Sequence, residues 1–216
     1  KNQMKKELAK DLKEDKVLSF GVGGSFTFAY QTSYFEYENK IENYTSNISR
    51  GFWMIGGSGE LELGTVSKSV GYGFKLYLGF LGDLSQKYEL NYLPITLQCY
   101  IEKHFANFLP TAGFVLRPQA VLGIGGCGAW GSKVELDGKK YSFEVPAGFV
   151  LTAAAGIYFD FYVSKNMAIY LGPAMNISAA IFSDNIKGDS SKKDSIFEIK
   201  GLFQPAFAVG VRYLKF

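Results

Sequence analysis

From Val17 to the end of the chain, large apolar side chains recur at alternate positions, and charged side chains avoid the face they define. In the first such segment Phe20, Val22, Phe26, Phe28 and Tyr30 share one side, while Ser19, Gly21, Gly23, Ser25, Thr27 and Gln31 take the other. A period of two belongs to the β-strand, whose successive side chains point to opposite faces. Similar segments follow along the chain. Leu93, Ile95, Leu97, Cys99 and Ile101 oppose Tyr92, Thr96, Gln98, Tyr100 and Glu102. Phe203, Phe207, Val209, Val211 and Tyr213 oppose Gln204, Ala206, Ala208, Gly210 and Arg212. The mid-strand charges Glu60, Glu62, Lys75 and Arg117 all fall on the small, polar face. The uncharged run at 166–183 is long enough for a transmembrane helix. Gly172, Pro173, Asn176 and Ser178 interrupt its centre and it also alternates, so a strand is expected there.

Periodicity does not say which face points outward, but volume does. An eight-stranded barrel has an interior just wide enough to be filled by side chains. The apolar face carries large side chains on every strand, many of them Phe, which such an interior could not hold. The opposite face, rich in Gly, Ala, Ser and Thr, fits a narrow lumen and carries too few charges for a water-facing exterior. The apolar face is therefore expected to meet lipid, where a charge costs roughly 2–4 kcal/mol at the midplane. Strands in hydrocarbon must close on themselves, because every backbone donor and acceptor needs a partner. The fold class expected is all-β: a transmembrane, eight-stranded, antiparallel up-and-down β-barrel over 17–216. Residues 1–16, with Met4, Leu8 and Leu12 on one stripe among charges, form a short helix or disordered lead. The chain opens on Lys1 without an apolar segment, so a secretory signal is expected to be absent or removed.

Connections alternate in length. Long ones are expected at 32–50, 82–91, 128–142 and 183–197, short ones at 66–69, 103–110 and 164–167. Outer-membrane barrels have long extracellular loops and short periplasmic turns, so both termini are expected in the periplasm. A turn centred on Ser67 and Lys68 would set Glu60 opposite Lys75, both facing inward. Glu60, Glu62, Lys75, Glu102, Arg117, Asp160 and Arg212 are the candidate lumen charges, expected to form a salt-bridged plug rather than an ion path. Tyr34, Phe35, Tyr37 and Tyr44, in the first long connection, are candidate surface contacts.

Chemistry is sparse. The single histidine, His104, falls in an expected short turn and is read as a turn residue. The two cysteines make neither a disulfide framework nor a metal spacing. A turn near Ala106 and Asn107 would set Cys99 against Phe114, with Cys127 13 residues further on, so no disulfide between them is expected. The glycine-rich stretch 123–128 lacks the following Lys-Ser/Thr of a phosphate loop. No cofactor, metal or catalytic set is expected, and a net charge of +3 gives no reason to expect nucleic acid.

The final residues, with Gly210, Tyr213, Leu214 and the terminal Phe216, resemble the C-terminal strand that outer-membrane barrels offer to the barrel-assembly machinery. Leu214 stands where that pattern usually has an aromatic. Residues 17–216 are similar in architecture to the small OmpA, OmpX and OmpW type barrels. The resemblance implies a bacterial outer membrane, outer-membrane lipid as surroundings and that machinery as a partner in biogenesis. The expected role is a structural or surface-interaction barrel whose extracellular loops contact a host or partner protein. A narrow channel or carrier for small hydrophobic molecules, and a subunit of a larger outer-membrane complex, are the alternatives.

Overall fold

The computed structural model describes residues 17–39, 44–84, 91–105, 114–136, 139–164, 166–182 and 195–215. The lead 1–16 and Phe216 lie outside the described residues. Eight strands follow one another: β1 (Val17–Asn39), β2 (Tyr44–Ser67), β3 (Val70–Asp83), β4 (Asn91–Lys103), β5 (Phe114–Leu136), β6 (Lys139–Tyr162), β7 (Met167–Phe182) and β8 (Ser195–Lys215). Each pairs antiparallel with its neighbour in sequence, and β8 returns to β1, closing the barrel.

Alternation sets the two surfaces. Leu63, Phe74, Leu97, Ile101 and Leu122 point outward, with Leu122 69 % exposed, while Thr27, Thr96 and Arg117 point inward and are buried. Large apolar side chains cover the outside on every strand. Soluble proteins rarely expose contiguous apolar patches beyond a few hundred Å². The belt therefore meets lipid, and the chain is a membrane-spanning β-barrel. Exposed aromatics ring both ends: Phe20, Tyr72, Phe105, Phe161 and Tyr213 at one, Tyr30, Trp53, Phe80, Trp130 and Phe203 at the other, as interfacial girdles require. The start of β1, the end of β8 and the strand ends joined from β2 to β3, β4 to β5 and β6 to β7 share the first of these rims, called here the turn end.

Several strands outrun the membrane. A tilted strand crosses the hydrocarbon in about 9–11 residues, and β1, β2, β5 and β6 have 23 or 24. The stretches expected as loops at 32–50 and 128–142 are largely paired strand, with registers such as Phe35↔Ile48 and Glu135↔Lys140. Beyond the lipid no apolar face is needed, so strand pairing continues without the hydropathy pattern that would reveal it. Register shifts occur at Thr32/Ser33, Cys127/Ala129, Gly131/Val134 and Ser178/Ala180, all toward this hairpin end, where barrel rims commonly place bulges.

Two registers differ from expectation. Ser67 pairs with Val70, so the turn is Lys68 and Ser69, and Lys75 faces Glu62 while Glu60 faces Tyr77. The shift is two residues across the pair, so every side chain keeps its face. Cys99 pairs with Leu122, not Phe114. Cys99 is exposed to the lipid side, Cys127 is buried, and both are free thiols. Five residues separate Leu122 from Cys127, about 17 Å along a strand.

Candidate functional site

The turn-end half of the lumen is built in layers. At the rim Val17, Val66, Val115 and Leu214 form a buried apolar cluster, with Tyr162 packed on it. They meet because each lies within two residues of its strand's end and points inward. Leu214 is thus a lumen residue, while Tyr213 beside it faces lipid at 47 % exposure.

Above this layer lies a charged network to which every strand but β1 contributes. β2 supplies Glu60 and Glu62, β3 Lys75, β4 Glu102, β5 Arg117 and Gln119, β6 Asp160, β7 Tyr170 and β8 Arg212. Lys75 Nζ lies 3.0 Å from Glu60 Oε2 and 2.8 Å from Glu62 Oε1. It also donates to Gln119 Oε1 at 2.9 Å. Gln119 donates in turn to Glu102 at 3.0 Å and to Glu62 at 3.3 Å. Arg117 Nε donates to both oxygens of Asp160 at 3.1 and 3.0 Å, and its Nη1 to Glu102 at 2.8 Å. Arg212 Nη2 donates to Glu102 Oε1, and Nη1 lies 3.9 Å from Asp160. All seven lumen charges expected from sequence therefore meet in one cluster.

Neutral groups complete it. The Tyr170 hydroxyl donates to Glu60 Oε1 at 3.0 Å. The Arg117 guanidinium lies 4.7 Å from the Tyr158 ring centre and 5.1 Å from that of Tyr170, and the two rings meet edge-on at 5.6 Å. Cation–π contacts of this kind strengthen when water is excluded. β1 passes the network with Gly21 and Gly23, which leave room. A Cβ on Gly23 would collide with the Tyr170 hydroxyl, and one on Gly210 would lie 2.5 Å from that ring.

His104 is a correction to the expected turn residue. Its side chain is buried at 3 % exposure, with Nε2 2.9 Å from Glu102 Oε1. It follows the last residue of β4 and keeps the inward face because it lies two positions after Glu102. That spacing is the available signal, hidden by starting the connection at Lys103. Gln119, Tyr158 and Tyr170 were also missed as members, since a neutral inward side chain looks like any lumen filler. The aromatic residues Tyr34, Phe35, Tyr37 and Tyr44 lie on paired strand rather than in a loop; their side chains lie outside the described residues.

The cluster holds four carboxylates against Lys75, Arg117 and Arg212, with His104 on the most heavily engaged acid. Among the described residues no three His, Cys, Asp or Glu side chains are grouped to hold a metal ion. Such a cluster ties strands together across the lumen. Nearer the hairpin end the inward side chains include Met54, Tyr92, Val150 and Leu202, all buried, beside hydroxyls and amides such as Ser25, bonded to Ser58 at 2.8 Å, and Gln204, bonded to Ser178 at 3.2 Å.

Solved structures align over most of the chain at low identity and low TM-score. Neisserial surface protein A aligns over 91% of this chain and 97% of its own, at 13% identity and a TM-score of 0.43. The outer membrane protein OprG from Pseudomonas aeruginosa aligns over 92% and 98%, at 9% identity and a TM-score of 0.44. The outer membrane protease OmpT from Escherichia coli aligns over 92% and 96%, at 11% identity and a TM-score of 0.30. No family model and no curated protein sequence matches the chain.

Proposed function

We propose that this chain is an integral outer-membrane barrel whose lumen is plugged by its own side chains, and which serves as a rigid mount for the hairpins at its far end. The observation that carries this reading is the network from Glu60 to Arg212, buried and joined across seven strands. A cluster bonded in this way resists the separation of charges that ion passage would need. The reading is non-catalytic, since the lone histidine is engaged by Glu102 inside the cluster.

In this reading the turn end and both termini face the periplasm, and the long β1–β2 and β5–β6 hairpins rise at the cell surface. Tyr34, Phe35, Tyr37 and Tyr44 then stand on the first of these hairpins, where a host or partner protein would meet them. The last strand, with Gly210, Tyr213, Leu214 and Phe216, would serve as the signal to the assembly machinery. Tyr213 faces the lipid side, as a signal displayed during insertion requires. Planar-bilayer recording of the purified chain tests the plug. The expected record shows no steady conductance; stable single-channel steps would instead favour a channel.

A further inference from the structure

Most of the lipid-facing belt is made of Phe, Leu and Ile, but a band across β4 to β8 is not. The register pairs Ile101↔Ala120, Ala120↔Ala155, Ala155↔Met175 and Met175↔Pro205 define one outward row across these strands. The adjacent row, one step toward the turn end, holds Pro118, Ile157 and Pro173, with Lys103 at its edge. Alanine and proline do not fill the space that larger side chains fill elsewhere. The result is an apolar groove of about 840 Å³ in the outer wall.

The groove runs on a slant. Ile101 is the third residue from the end of β4, whereas Pro205 is the eleventh from the end of β8. It therefore starts at the turn-end membrane interface and climbs toward the middle of the bilayer. Four strand steps of about 4.8 Å make it roughly 19 Å long. Half of a hydrocarbon core is about 15 Å, so a slanted groove of this length suits one acyl chain of the nearer leaflet. A second barrel would not suit it, because a convex wall cannot enter a channel two side-chain rows wide.

The shallow end is cationic. Lys103 lines it and is exposed, and Lys68 is exposed on the adjoining turn, whose Ser69 carbonyl accepts a bond from His104 N at 2.8 Å. The carboxylate at this edge, Glu102, points into the lumen and is held there by Arg117 and Arg212. We propose that the groove binds one anionic phospholipid of the turn-end leaflet, with an acyl chain along Ala120, Ala155 and Met175 and the phosphate at Lys103. The proposal rests on the reading of the chain as a membrane-spanning barrel.

Native mass spectrometry of the full chain, released from detergent after incubation with phosphatidylglycerol or phosphatidylcholine, tests it. The wild type is expected to retain one phosphatidylglycerol in preference to phosphatidylcholine. Ala120→Leu with Ala155→Leu should lose retention of both. Lys103→Ala with Lys68→Ala should cut phosphatidylglycerol retention by about fivefold per lysine; these exposed positions keep the test decisive if the leucine variant does not fold. Equal retention of the two lipids by the wild type would overturn the proposal. So would undiminished retention in the folded leucine variant or in the lysine variant, or a lipid-free dimer. A wild-type far-UV spectrum without strand signal would overturn the barrel reading itself, and the site with it.

Discussion

Lys75 is the hinge of the charge arrangement at the scale of single residues. Its ammonium is shared by Glu60 and Glu62, at 3.0 and 2.8 Å. Removing one member of a buried ion pair typically costs about 3–5 kcal/mol, because the other charge is left without compensation. Lys75→Ala strands two carboxylates side by side and should fall at the upper end, about 5 kcal/mol. Glu62→Gln keeps the shape and leaves Lys75 paired with Glu60, so a smaller loss of about 1–3 kcal/mol is expected. Denaturant unfolding in lipid vesicles at neutral pH compares the two. An equal or larger cost for Glu62→Gln would move the centre of the network from Lys75 to Glu62. Charge made this residue legible in the sequence, since an ionised side chain among apolar alternation must face inward. Alternation also turns Tyr158 and Tyr170 inward, but a neutral side chain gives no sign in the sequence that it bonds to a charge.

At the scale of elements, the β2–β3 hairpin closes through Lys68 and Ser69, both with positive φ, 51° and 61°. Two successive residues of this kind make a type I′ turn, whose twist matches the flanking strands and which favours Asn-Gly. A residue with a side chain pays roughly 1–2 kcal/mol in the left-handed region. Lys68→Asn with Ser69→Gly is expected to stabilise the barrel by about 1–2 kcal/mol, read as a higher unfolding midpoint with unchanged slope. No change would mean that Lys68 compensates through contacts of its own. The turn also explains what the sequence concealed. The segment at 66–70, with neither Asn nor Gly, gives no mark of where the chain reverses, so the turn centre was placed one residue early. Facing survived the error because the alternation fixes parity independently of the turn. Strand length did not survive it, as the segments around Glu36 and Glu38 pair as strand beyond the lipid, where no apolar face announces them.

For the whole molecule, the proposed plug consists of two layers that would work by different physics. The rim layer of Val17, Val66, Val115 and Leu214 is a buried apolar cluster that would exclude water by packing. The network above it would do so by holding each charge against an opposite one. Trimming the rim with Val66→Gly, Val115→Gly and Leu214→Gly should leave the barrel non-conducting, because the charged layer still fills the section. Trimming the network with Arg117→Ala, Glu102→Ala and Arg212→Ala removes two positive charges and one negative one, and should likewise leave the rim closed. Combining both sets removes Val66, Val115 and Leu214 from the rim together with Arg117, Glu102 and Arg212 from the network, and conductance should appear only then. Planar-bilayer recording of the three variants reads this directly, with far-UV spectra confirming the strands in each. If the rim variant alone conducts, the charged layer is no barrier to ions, and Glu60, Glu62, Glu102 and Asp160 line a cation path instead of a plug.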